Sequence, residues 1–65
     1  MGDETYKGRV IEERNDLKVK VDKLISFSDS KQFTDLPASD KVLLQCQLEA
    51  MTLYLDVLNE RIGAW

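Results

Sequence analysis

Leu44, Leu48, Met51, Leu55, Leu58 and Ile62 recur at alternating spacings of four and three, a continuous seam along one side of an α-helix. Leu43, Ala50, Tyr54 and Val57 line the stripe beside it, and Val42, Cys46 and Leu53 carry apolar surface further round. Polar residues from Lys41 to Glu60 occupy the remaining side. At about 100° per residue the apolar arc spans roughly 200° of the wheel, about twice what an ordinary surface helix needs. One neighbouring helix cannot cover such an arc, and the chain has room for only one. The pattern therefore predicts assembly with other copies.

Length sharpens that expectation. A chain of 65 residues is one domain at most and is marginal on its own. Small folds are usually held by disulfides, a metal or partners. One cysteine and no histidine exclude an intrachain disulfide and argue against a zinc site. Oligomerisation is what remains, and the single cysteine suits a reducing cytoplasm. The net charge of −3 argues against nonspecific contact with nucleic acid or an anionic membrane. No apolar run reaches transmembrane length, and the acidic start has no signal-peptide core.

Taken in order, residues 1 to 4 read as a short frayed end. A first helix is predicted over about 5–28, with Asp3 and Glu4 favourable at the positive end of its dipole. Its stripe is Tyr6, Val10, Leu17, Val21, Leu24 and Ser28, flanked by Ile11 and Ile25. Arg14 falls inside the stripe. It is either a snorkelling side chain at an interface edge or an inward arginine that fixes register or meets an acidic group. The other charges alternate in sign, as on a solvated face with weak ion pairs.

Periodicity fails over 29–37, the connection. Phe33 and Leu36, with Phe27, are expected to plug the end of the hairpin there. Pro37 suits the first turn of the next helix, and Ser39 and Asp40 suit its N-terminus. That second helix is predicted over about 38–62. Gly63 sits where a C-terminal cap belongs, and Arg61 suits the negative end of the dipole. Trp65 either folds back on the bundle or serves as a binding anchor.

Catalytic chemistry finds little to work with. No histidine is present for acid–base work, and Cys46 lies on the apolar arc without a cation to activate it, so it reads as core. Glu49 and Asp56 lie on the polar face. Gly2, Gly8 and Gly63 are too scattered for a phosphate loop. No enzyme and no cofactor are expected. A DNA-reading helix-turn-helix needs a third helix and a basic recognition helix, and neither is present.

The segment FTDLPASDKVLLQCQLEAMTLYLDVLNERI resembles short helical-hairpin proteins of temperate and other tailed phages. The shared scheme here is Phe33, Leu36-Pro37, Asp40, Leu43-Leu44, Gln47-Leu48, Met51, Tyr54, Leu58 and Arg61-Ile62. The stretch TYKGRVIEERNDLKVKVDKLISF is similar to their first helix. The resemblance implies an early accessory protein of the lambdoid type, acting on its host in the bacterial cytoplasm. It carries over no catalytic residue.

The expected fold is all-α: an antiparallel two-helix hairpin that pairs into a four-helix bundle, as a homodimer or a larger oligomer. The expected oligomer interface is Leu44, Leu48, Met51, Leu55, Leu58, Ile62, Leu43 and Tyr54 with Val10, Leu17, Val21 and Leu24. The leading function is non-enzymatic binding of a bacterial host protein that alters growth, replication or defence, with Leu53, Val57 and Trp65 as contacts. The alternative is an oligomeric sponge for a small nucleotide defence signal, using Tyr6, Arg14 and Lys18.

Overall fold

A computed structural model describes residues 2–65 and, from Tyr6 onward, their side chains. Residues 2–4, expected to belong to a frayed end, are helical, so the first helix starts earlier than the expected residue 5; Met1 and the side chains of Asp3 and Glu4, with their expected dipole role, lie outside what is described. Three helices follow one another: α1 (Gly2–Ser28), the single turn α2 (Lys31–Thr34) and α3 (Ala38–Gly63). Among the described residues there is no strand. The long helices α1 and α3 lie side by side, and α2 forms part of the link between them.

The core is where two stripes meet. Val10, Leu17 and Val21 on α1 and Leu58 on α3 make up the buried core, and Leu48, Met51, Leu55 and Ile62 pack partly buried against it. Among the described residues Leu58 is the one fully buried large side chain, at 0% exposure. Leu24 and Leu44 are half-buried. The α3 seam expected between copies is thus covered first by α1 of the same chain. Leu43 and Tyr54, assigned to the same interface, stay outside it and are exposed.

Arg14 interrupts the α1 stripe for a structural reason. Its half-buried side chain crosses to α3, where Nη1 donates to Asn59 Oδ1 at 3.0 Å, while Nε donates to Asn15 Oδ1 at 2.8 Å. It meets an amide rather than a carboxylate. A single such bond between elements favours one register of α1 on α3, because a slip of one turn would leave the guanidinium without it.

The link is tighter than a plain loop. Asp29 N–H donates to Ser26 O and Ser30 N–H to Phe27 O, which winds down α1. Ser30 then caps α2: its hydroxyl accepts from Phe33 N–H at 3.3 Å and donates to Phe27 O at 2.6 Å. That brings Phe27 and Phe33 edge to face, 6.1 Å apart at 85°. Both rings and Leu36 are half-buried, as a plug at this end of the hairpin.

Two expected helix-end roles differ. Pro37 stands just before α3 with extended ψ (151°), and no side chain caps that end, so Ser39 does not act there. The Pro37 carbonyl accepts from Lys41 N–H instead, and Asp40 occupies the first turn. Gly63 is not a left-handed cap. Ala64 N–H still bonds Glu60 O and Trp65 N–H bonds Ile62 O, so α3 runs out through right-handed geometry with no glycine at positive φ.

The outcome is a rod of 49 × 15 × 14 Å. Its radius of gyration is 15.0 Å, against about 11 Å for a compact chain of this length. No described helix is long and apolar enough to cross a membrane.

Candidate functional site

The antiparallel arrangement brings the start of α1 beside the end of α3. Tyr6 therefore lies opposite Arg61, and one heptad further along α1 Glu13 lies opposite Tyr54. At this end the side chains assemble into a mixed aromatic and cationic surface. The rings of Tyr6 and Trp65 sit 6.3 Å apart, tilted by 55°. The Lys7 ammonium lies 5.5 Å from the centre of the Trp65 ring. The Arg61 guanidinium lies 5.5 Å from the Tyr6 ring and donates to the Tyr6 hydroxyl. All four residues are exposed. Cations held against aromatic faces keep their charge. Such a surface can take a flat aromatic group by stacking and an anion by charge-assisted hydrogen bonds.

Arg61 also borders a second cross-helix contact. The Tyr54 hydroxyl donates to the Glu13 carboxylate. That bond raises the Tyr54 pKa above its ordinary 10.0; desolvation and the negative charge of Glu13 add to it, and Arg61 opposes it. The folded state therefore holds the Tyr54 proton more tightly than the unfolded chain does. The contribution is complete below pH 10 and is lost as pH rises through the folded-state pKa. In a Tyr6→Phe background, tyrosinate absorbance should report ionisation above pH 10, moving down on Glu13→Gln. An unchanged midpoint in that variant would remove the Glu13 bond as the cause.

Of the ligand candidates from the sequence, Tyr6 is in this cluster and the other two are engaged elsewhere. Arg14 reaches Asn59, and Lys18 lies 3.5 Å from Asp22 on its own helix. Of the protein-contact candidates, Trp65 joins the cluster, whereas Leu53 and Val57 are exposed on α3. Cys46, read as core, is exposed too, because it faces away from α1. Lys7 and Arg61 were missed as ligand residues. The signal was there in principle: two helices of nearly equal length joined by a short link place residue 6 across from residue 61.

The concave surfaces of the hairpin lie away from these four residues. The groove beside Leu17, about 530 Å³, is walled by Glu12, Glu13 and Asp16 against Arg9 and Lys20. A shallower one of about 350 Å³ sets Lys20 and Lys23 beside Leu24, Phe27 and Met51, with both lysines exposed. Among the described residues no three His, Cys, Asp or Glu side chains are grouped so as to hold a metal.

Residues 4–64 match the family model described as Sequestin. The chain belongs to the Sequestin family. Within that family match lie α3, α1 from residue 4 onward, and Tyr6, Lys7 and Arg61 of the cluster. The chain is also similar to an uncharacterized 7.5 kDa protein in the denB-rIIB intergenic region of Enterobacteria phage T4. The two are 35% identical over 58 residues, which span 89% of this chain and 91% of that protein. This Sequestin-family chain is therefore a small helical protein of the phage accessory kind. No solved structure matches it.

Proposed function

We propose that this protein acts without catalysis, by sequestering a small anionic ligand that carries an aromatic base, a nucleotide of the kind a bacterium uses as a defence signal. The observation that carries the reading is the cluster of Tyr6, Lys7, Arg61 and Trp65, where two rings and two cations share one exposed surface. A base would stack on Trp65 or Tyr6, and phosphate oxygens would take Lys7 and Arg61. The family's name, Sequestin, supports capture as the mode of action, and the T4 relative supports a phage setting. Early expression of the lambdoid kind and work in the host cytoplasm belong to the same proposal.

Trp65 is the single tryptophan, so its fluorescence reports the site directly. Titration with cyclic mono- and dinucleotides should quench it saturably for at least one of them. Stacking is worth about 1–3 kcal/mol per base, so Trp65→Ala should weaken binding, read by calorimetry, roughly tenfold to a hundredfold. Arg61→Glu should weaken it at least as much. No saturable change with any nucleotide at millimolar concentration would defeat the reading.

A host protein is the second candidate for capture. It is favoured by the exposure of Leu53, at 66%, and of Val57 on α3. Retention of one stoichiometric host protein that is lost on Trp65→Ala, with no nucleotide response, would put that reading first.

A further inference from the structure

Between α1 and α3, toward the link, two hollows adjoin. One, of about 350 Å³, is lined by Lys20, Lys23, Leu24, Phe27, Gln47 and Met51. The next, of about 480 Å³, is lined by Phe27, Leu36, Asp40, Leu43, Leu44 and Gln47. Phe27 and Gln47 line both, so the two make one trough. Its ends differ in charge. Lys20 and Lys23 are three residues apart and hence neighbours on the surface of α1. Both are exposed, and among the described residues neither makes an ion pair. At the far end stands the Asp40 carboxylate. Between the ends lie Leu24, Phe27, Met51, Leu44 and Leu36, all half-buried. We propose that this trough binds the monoanion of a fatty acid, its carboxylate at Lys20 and Lys23 and its hydrocarbon chain running over Leu24 and Phe27 toward Leu36. The proposal goes beyond nucleotide capture and does not rest on it, because the Tyr6–Trp65 surface is at the opposite end of the hairpin.

Three observations favour this occupant. The first is charge. Two adjacent cations at one end of an apolar floor match a carboxylate head on an uncharged tail, through charge-assisted hydrogen bonds. Asp40 at the other end repels a second carboxylate, so a dicarboxylate fits worse. The second is length. From Met51 back to Asp40 is 11 residues of α3, about 16 Å. One leaflet of a bilayer holds about 15 Å of acyl chain. The third is the chemistry of the floor. Gln47 is the one polar side chain between the two ends. Its amide donates to the Met51 sulfur at 3.8 Å, a weak acceptor that leaves the amide easily moved aside. A nucleobase would leave most of its edge donors and acceptors unmatched here, whereas a hydrocarbon leaves none. An anionic membrane as the source of the chain is opposed by the net charge of −3.

Calorimetric titration of the full chain with dodecanoate, below the concentration at which it forms micelles, tests the proposal. One equivalent should bind saturably while helicity is kept. Shortening the probe to octanoate removes four methylenes and should weaken binding about tenfold or more, since each buried methylene contributes and the trough is open on one side. Dodecanedioate should bind several-fold more weakly than dodecanoate. Lys20→Gln with Lys23→Gln should weaken dodecanoate roughly threefold to tenfold and abolish the salt dependence of its binding, with helicity unchanged because both side chains are exposed. Trp65→Ala should leave dodecanoate binding as it was, which separates this site from the nucleotide surface. No saturable binding of dodecanoate, or binding that melts the helices, overturns the proposal. So does full affinity in the double lysine variant, equal affinity for the dicarboxylate, or retention of the protein on anionic lipid vesicles without binding of the free acid.

Discussion

Leu58→Ala is expected to remove most or all of the cooperative folding of this protein. Leu58 has 0% exposure and is the α3 member of the buried core to which Val10, Leu17 and Val21 belong on the other helix. Truncating a buried leucine to alanine costs about 2–5 kcal/mol, through lost transfer energy and the cavity left behind. A chain of 65 residues has in all about 3–10 kcal/mol of stability to lose. The two ranges overlap, which is unusual for one substitution and follows from how few side chains this rod buries. Thermal melts by circular dichroism should show a midpoint lowered by roughly 10–30 °C, or no transition at all. Leu53→Ala is the control: it removes the same atoms from an exposed position. Both should be compared at one protein concentration, because association stabilises the folded state by mass action. A Leu58→Ala melt within a few degrees of the unaltered protein would show that the hairpin core does not carry the fold.

The dependence on one leucine explains which features were legible in the sequence. The seam from Leu44 to Ile62 could be found from spacing alone, since burial of a helix face leaves a period of 3.6 residues. The α1 stripe was legible for the same reason, and Arg14 stood out within it because a charge breaks the period. That its partner would be Asn59 was not legible. It depends on the rotation of one helix against another, and spacing within each helix says nothing about that. Tyr6 with Arg61, and Glu13 with Tyr54, are pairs of the same kind. The cluster at the hairpin end therefore needed the fold, whereas its members had no pattern of their own in the sequence. Cys46 went astray for a related reason. An apolar arc of about 200° looks like core throughout, but α1 covers only the side that faces it, leaving Cys46, Leu43 and Leu53 outside.

Val21→Asp and Val19→Asp make the sharpest comparison on α1. The positions are two residues apart, so they face nearly opposite sides of the helix. Val21 is 5% exposed and belongs to the core cluster; Val19 is 51% exposed. An aspartate at 21 would have to lose its hydration in an apolar core, where no described residue offers a buried polar group to accept it. Burying an unpaired carboxylate without compensation belongs to the few mechanisms that cost about 4 kcal/mol or more. The chain then either unfolds or swings that turn of α1 away from α3. An aspartate at 19 remains hydrated, and valine and aspartate have similar helix propensities, so its cost should be within about 0.5 kcal/mol. Urea titrations followed by helicity should show the first variant without a folded baseline and the second close to the unaltered protein. Raising the salt concentration should not rescue Val21→Asp, because the penalty is lost hydration rather than repulsion between exposed charges. Equal stability of the two variants would mean that α1 presents a different face to α3, and the register set by Arg14 and Asn59 would fall with it.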